Sequence, residues 1–186
     1  MKTHTLYFLP LLLALVVSSC SKVSEEIQRD AIILDSVDYT IPVMTEVDSA
    51  YAFTGIQLPL NPGAKIGQLQ GFTEANIKSI KLSRMAIVLK YVPNTDSIDV
   101  ANHFGNFQSL RFSIPNGATP LNIASATISS ASVNGAINLI TNSSMELKPL
   151  LGANAATGTL TARTRTATTK PIFVTIYAWF TVTVSK

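Results

Sequence analysis

The C-terminal stretch carries the clearest pattern in the chain. From 172 to 184 the residues alternate at period two. Ile172, Val174, Ile176, Ala178, Phe180, Val182 and Val184 form one row; Phe173, Thr175, Tyr177, Trp179, Thr181 and Thr183 form the other. Successive side chains of a strand point to opposite faces, so the all-apolar row is expected to face a core. Residues 159–166 alternate too, with Leu160, Ala162 and Thr164 against Thr161, Arg163 and Arg165. A short turn around Thr169 and Lys170 joins the two runs. The pattern predicts a β-hairpin whose last strand is long enough to sit mid-sheet.

Earlier segments repeat this rhythm. Val37, Tyr39 and Ile41 alternate with Asp38 and Thr40 until Pro42 intervenes. A second run covers 49–60, where Tyr51 and Phe53 set one phase and Ile56, Leu58 and Leu60 another. Gly55 between them predicts a β-bulge. Asn61-Pro62-Gly63 is a turn. Residues 72–76 allow a short helical turn. The stretch 77–92 admits a helix through Ile77, Ile80 and Met85, or a strand through Ile87, Leu89 and Tyr91. Its β-branched content and the closing Pro93-Asn94 favour the strand. Residues 99–106 read as a loop or one helical turn. In 107–114, Leu110, Phe112 and Ile114 are predicted to face inward, with Ser109, Arg111 and Ser113 outward. Pro115-Asn116-Gly117 stops that strand, and weaker strands follow at 121–128 and 136–140.

Seven to nine short strands with regular turn signals predict an all-β domain. The expected architecture is a two-sheet antiparallel sandwich of immunoglobulin-like type. It follows an N-terminal signal helix and a linker. Leu6 to Val17 is an apolar run of about a dozen residues after Lys2. As a helix it rises roughly 18 Å, short of the roughly 30 Å hydrocarbon core, so it reads as a secretory signal and not as a span.

Val17-Ser18-Ser19-Cys20 ends that run, and Cys20 is the one cysteine of the chain. The tetrapeptide resembles the lipobox of bacterial lipoproteins. The resemblance implies a diacylglyceryl group on the Cys20 thiol, cleavage just before it, and Cys20 as the mature N-terminus. Ser21 after the cysteine, where Asp would favour inner-membrane retention, implies transfer to the outer membrane, on its periplasmic or surface face. The expected organisation is a signal peptide at 1–19, a lipidated tether at 20–29 and a single β-sandwich domain at 30–186. With the lipobox, the C-terminal hairpin and the entry Asn106-Phe107-Gln108-Ser109-Leu110, the chain also resembles small β-sandwich envelope lipoproteins of gut-type Gram-negative anaerobes.

Composition narrows the chemistry. The formal net charge is +3, one unit of it from Lys2. That is too little to argue for nucleic acid. Acidic residues crowd 25–48, and after Glu146 only basic ones occur. The two segments are expected to lie side by side and balance; the alternative is a basic face toward an anionic glycan or lipid. Without a second cysteine, stability must come from core burial and strand pairing.

No catalytic residue is assigned. Beyond the leader, His103 is the only histidine, in the polar loop Asn102-His103-Phe104-Gly105 with no G-x-S-x-G elbow. It reads as a surface loop residue, and no metal or cofactor is expected. A glycosidase needs two inward carboxylates. Asp35, Asp38, Glu46, Asp48, Asp96, Asp99 and Glu146 are available, most of them beside turn residues or on faces where solvent is expected. Thr95 to Asp99 offers oxygen ligands without the EF-hand spacing and reads as a polar turn. Tyr177 and Trp179 share one strand face, either as a stacking platform for a sugar or apolar ligand or as packing under a neighbouring segment. Asp35-Ser36-Val37, Asp48-Ser49-Ala50 and Asp96-Ser97-Ile98 resemble an O-glycosylation sequon of exported proteins in that bacterial group, which makes Ser36, Ser49 and Ser97 candidate sites. The expected function is therefore a non-enzymatic envelope lipoprotein. It would be held to the membrane by its lipid and present its sandwich to a protein or glycan. The alternative is a carrier of a lipid or other apolar ligand between the sheets.

Overall fold

The computed structural model describes residues 28–58, 65–68, 71–90, 102–129, 131, 135–150 and 156–186. Cys20, the signal segment and the Asp96–Asp99 turn lie outside them. Eight strands form: β1 (Gln28–Ile41), β2 (Ala50–Leu58), β3 (Ile77–Leu89), β4 (Phe107–Ile114), β5 (Leu121–Thr127), β6 (Ala136–Thr141), β7 (Ala156–Thr164) and β8 (Ile172–Ser185). Two 3-10 turns, Glu74–Asn76 and Phe104–Asn106, lead into β3 and β4.

All pairings are antiparallel, in the order β1-β8-β3-β6-β5-β4-β7-β2. The first strand pairs with the eighth, the second with the seventh, the third with the sixth and the fourth with the fifth. Rolling one long hairpin in this way gives jelly-roll connectivity. The sheet curls into two four-stranded halves. Among the described residues two ladder pairs join them, Ala124 with Thr141 and Ser125 with Ile140, beside a bond from Asn142 N–H to the Ile123 carbonyl. Across the other side, β1 and β2 approach with the rings of Tyr39 and Phe53 6.4 Å apart. Phe104, Phe107 and Phe112 from one half and Phe180 from the other are fully buried in one shared core.

The all-β, antiparallel expectation holds. The immunoglobulin-like order does not: such a sheet sets β1 beside β2, and here those strands are the two outermost. Residues 159–166 and 172–184 do not form a hairpin either. β7 lies between β4 and β2, and β8 between β1 and β3. Hydrogen bonds from distant loops take the chain from one half to the other. Thr168 N–H donates to the Met44 carbonyl at 2.8 Å, and Met44 N–H to the Thr168 hydroxyl at 2.9 Å. Asn102 Oδ1 accepts from the N–H groups of Thr169 and Lys170. Periodicity gives each strand its faces but carries no record of these contacts.

Other expectations were closer. The apolar row of β8 is buried throughout. Gly55 sits at φ +76 where the register of β2 shifts, between Phe53 and Ile56. The first strand begins at Gln28, inside the expected tether, because the unbroken run Ala31-Ile32-Ile33-Leu34 hides its alternation. Ser113 is buried, although it keeps the alternation of β4 opposite Thr159; the register shift beside it leaves Ile123 of β5 as the extra residue. The acidic N-terminal and basic C-terminal segments are neighbours, β1 along β8 and β2 along β7, with Ala50 opposite Arg163.

Candidate binding face on the outer sheet

Directly opposed residues of an antiparallel pair share a face. The outward row of β8 therefore has neighbours on both sides. Trp179 lies between Leu34 of β1 and Arg84 of β3, Tyr177 is opposite Ser36, and Thr181 lies between Ile32 and Lys81. Ile32 is 74% exposed and Leu34 46%. Tyr177 and Trp179 are half-buried, with ring centroids 6.0 Å apart and planes tilted by 32°. They are not roofed by another strand of the sheet, although the flanking side chains cover part of each ring.

A bulge builds the polar edge of this face. The β3–β8 register shifts between Leu82 and Arg84, so Ser83 is an extra residue. Strict alternation would turn Arg84 into the core beside Leu82. With the extra residue, Ser83 and Arg84 are both exposed, between buried Leu82 and Met85. Bulges re-aim side chains in this way. The Ser83 hydroxyl donates to the Trp179 carbonyl at 2.9 Å, and the Thr141 hydroxyl to the Ser83 carbonyl. The Arg84 guanidinium sits 4.7 Å from the Trp179 ring centroid, a cation–π contact. Its Nη2 donates to Asn138 Oδ1 at 3.1 Å. Farther along, Asp38 accepts from the Thr175 hydroxyl at 2.6 Å and pairs with Lys90. The bonds from Lys90 and then Thr175 hold its carboxyl below the ordinary range.

The carboxylates are dispersed. Asp38 lies on the outer face of β1, and Glu46 and Asp48 in the loop before β2. Glu146 sits against β3, where Oε1 accepts from Ile80 and Lys148 N–H and Oε2 from the Ser79 hydroxyl. Burial would raise the pKa of Glu146, but these bonds and the charge of Lys81 outweigh it and the net shift is downward. Among the described residues no three His, Cys, Asp or Glu side chains gather in metal-binding geometry.

Among the described acidic residues Asp35 is the buried one. It points inward from β1, is 8% exposed, and its Oδ2 has no hydrogen-bond partner. Its Oδ1 accepts from the N–H of Ser36. Burial raises its pKa, against the opposing pull of Ser36 N–H and the charge of Lys65. An acid whose folded pKa is raised binds its proton more tightly in the native state, so native stability increases as pH falls through that pKa. Asp35→Asn is therefore expected to stabilise the fold at neutral pH by about 1 kcal/mol. The gain should shrink as the pH falls toward the ordinary carboxylate range. Thermal melts of both proteins across pH 4–8 check this, and a constant difference would contradict it.

His103 is not a surface residue. It is buried and caps the Phe104–Asn106 turn: its Nδ1 accepts from Gly105 N–H at 2.9 Å, and its own N–H donates to Asn106 Oδ1. Arg165 donates to the carbonyls of Gly105 and Ile128, which ties this turn to the end of β5. Of the candidate modification sites, Ser36 is exposed on the outer face of β1. Ser49 is half-buried and its hydroxyl donates to Glu46 Oε2 at 3.1 Å. Ser97, like Cys20, lies outside the described residues. Arg84 was not singled out by the sequence, although a signal was present: two adjacent polar residues between the core positions Leu82 and Met85 mark a bulge.

Two shallow clefts flank the β5–β6 seam, of about 360 and 350 Å³. Ile140, 80% exposed, borders the second. No described helix is long and apolar enough to cross a membrane.

No family model and no curated protein matches the chain. Among solved structures it is similar to one of Desmodium yellow mottle tymovirus, at 12% identity and a TM-score of 0.27 over 85% of this chain and 90% of that one. It is also similar to the BFDV capsid protein in its 60-mer, at 8% identity and a TM-score of 0.33 over 86% and 95%. Superpositions this loose assign neither a fold family nor a function to the chain.

Proposed function

We propose that the protein is a non-enzymatic lipoprotein of the cell envelope. It is anchored by a lipid on Cys20, at the outer membrane, and presents a β-rich domain to a protein or glycan partner. The anchor rests on the sequence Val17-Ser18-Ser19-Cys20 behind a short apolar run. The partner surface rests on one observation: Tyr177, Trp179, Leu34 and Ile32 share an accessible face of the sheet. Large apolar side chains held together in water mark an interaction site more often than isolated ones do.

The carrier alternative has less support. Aromatic side chains from both halves meet in one packed core, and the clefts at the seam open to the surface. The test of the binding face is a double substitution, Tyr177→Ser with Trp179→Ser. Both residues are only half-buried, so the domain is expected to stay folded. Retention of envelope material on the immobilised protein is expected to fall severalfold while the melting temperature stays within a few degrees. Unchanged retention would contradict the assignment.

A further inference from the structure

We infer that Arg84, held by Trp179 and Asn138, is the carboxylate-binding point of this face, and that the partner is a glycan bearing uronic-acid-type carboxylates. The inference rests on the binding-face reading above and gives it a ligand class. The guanidinium is exposed, yet its position is fixed. The indole lies 4.7 Å beneath it, and Asn138 Oδ1 holds one of its nitrogens. Much of the ordering cost of a long side chain is thus met before a ligand arrives. A single bond to Asn138 leaves further N–H donors of the fork free for a carboxylate.

Charge and placement point the same way. Arg84 has no carboxylate partner among the described residues, whereas Lys90 on the same face is paired with Asp38. The bulge at Ser83 spends an extra residue to turn Arg84 out of the core and over the ring. Tyr177 lies 6.0 Å from Trp179 and supplies an aromatic surface for the body of a sugar. The hydroxyls of Thr181 and Ser36 flank the rings on the same face.

A glycan suits this surface better than an extended peptide. β8, which carries both rings, is paired on one side with β1 and on the other with β3, so the strand beneath the rings offers no main-chain hydrogen bonds; the open edge of this half lies on β1. The face offers rings, hydroxyls and a guanidinium fixed over one of the rings.

The test is affinity electrophoresis of the full chain in non-ionic detergent through gels containing polygalacturonate, methyl-esterified polygalacturonate or polyglutamate. Retardation by polygalacturonate is expected, with little by the ester, which keeps the sugar body and loses the charge. Arg84→Gln is expected to weaken binding about tenfold, the effect of losing one charge-assisted contact. Arg84→Lys should fall between, since it keeps the charge without the fork. Asn138→Ala leaves the charge and frees the guanidinium, and should weaken binding severalfold with no change in melting temperature. Equal retardation by acid and ester would overturn the inference, as would parental binding by both Arg84→Gln and Asn138→Ala. Tighter binding to polyglutamate would replace the glycan with an acidic protein. If the Tyr177/Trp179 double variant loses envelope material while Arg84→Gln keeps it, the face remains a binding surface and only the carboxylate assignment falls.

Discussion

Substituting Cys20 by serine is expected to move the protein from the detergent phase to the aqueous phase in a cloud-point partition of whole cells. On the proposed reading that thiol carries a diacylglyceryl group, and serine cannot form the thioether. Each buried methylene of an acyl chain contributes about 0.8 kcal/mol; one chain holds a protein only marginally, and two hold it firmly. The apolar run before Cys20 is about a dozen residues, too short to span a bilayer as a helix. It is therefore a poor substitute for the lipid. If the lipid is the anchor, the loss should be close to complete. Equal partition of parent and variant would contradict the anchor.

The largest expected effect on folding is at Phe112. Its ring is fully buried on β4 between Ala124 of β5 and Leu160 of β7. The neighbouring strand leaves room for it only because position 158 is glycine; a Cβ there would overlap the ring. Phe112→Ala removes the filling of that space, and a buried Phe→Ala change costs about 3–5 kcal/mol. A domain of this size has a total stability of about 5–15 kcal/mol. With no second cysteine for a disulfide, the variant is expected to lose its cooperative transition at 37 °C or to melt far below the parent. Gly158→Ala should be destabilising through the same contact. A Phe112→Ala protein that melts within a few degrees of the parent would contradict the packing of this half of the sheet.

The residue pattern disclosed the strands better than their arrangement. β8 was legible over nearly its whole length, because its rows follow period two without a break. The Gly55 bulge was legible because the phase of the apolar residues changes across it. The start of β1 was hidden by four consecutive apolar residues. The sheet order was not legible, since it depends on contacts such as Thr168 to Met44 and Asn102 to Lys170, far apart in sequence. Face assignments need only neighbours, whereas topology needs long-range hydrogen bonds.

The candidate site divides along the same line. Tyr177 and Trp179 could be named because a period of two puts them on one face. Arg84 joins them only through a bulge on another strand. His103 was misplaced because a polar tetrapeptide looks like a surface loop, while its imidazole in fact caps a buried turn. The inward turn of Asp35 was not legible because the alternation around it is blurred by Ala31 to Leu34. The cost of burying it should be measurable through its pH dependence.

The most direct measurement is the intact mass of the mature chain purified from membranes in detergent. The expected mass is that of a polypeptide beginning at Cys20 with a diacylglyceryl group, with or without a further acyl chain on its amino group. Any excess beyond lipid and protein should map to Ser36, Ser49 or Ser97 as hexose-containing additions. A mass equal to the unprocessed chain, or to one cut elsewhere and carrying no lipid, would contradict a membrane-anchored protein.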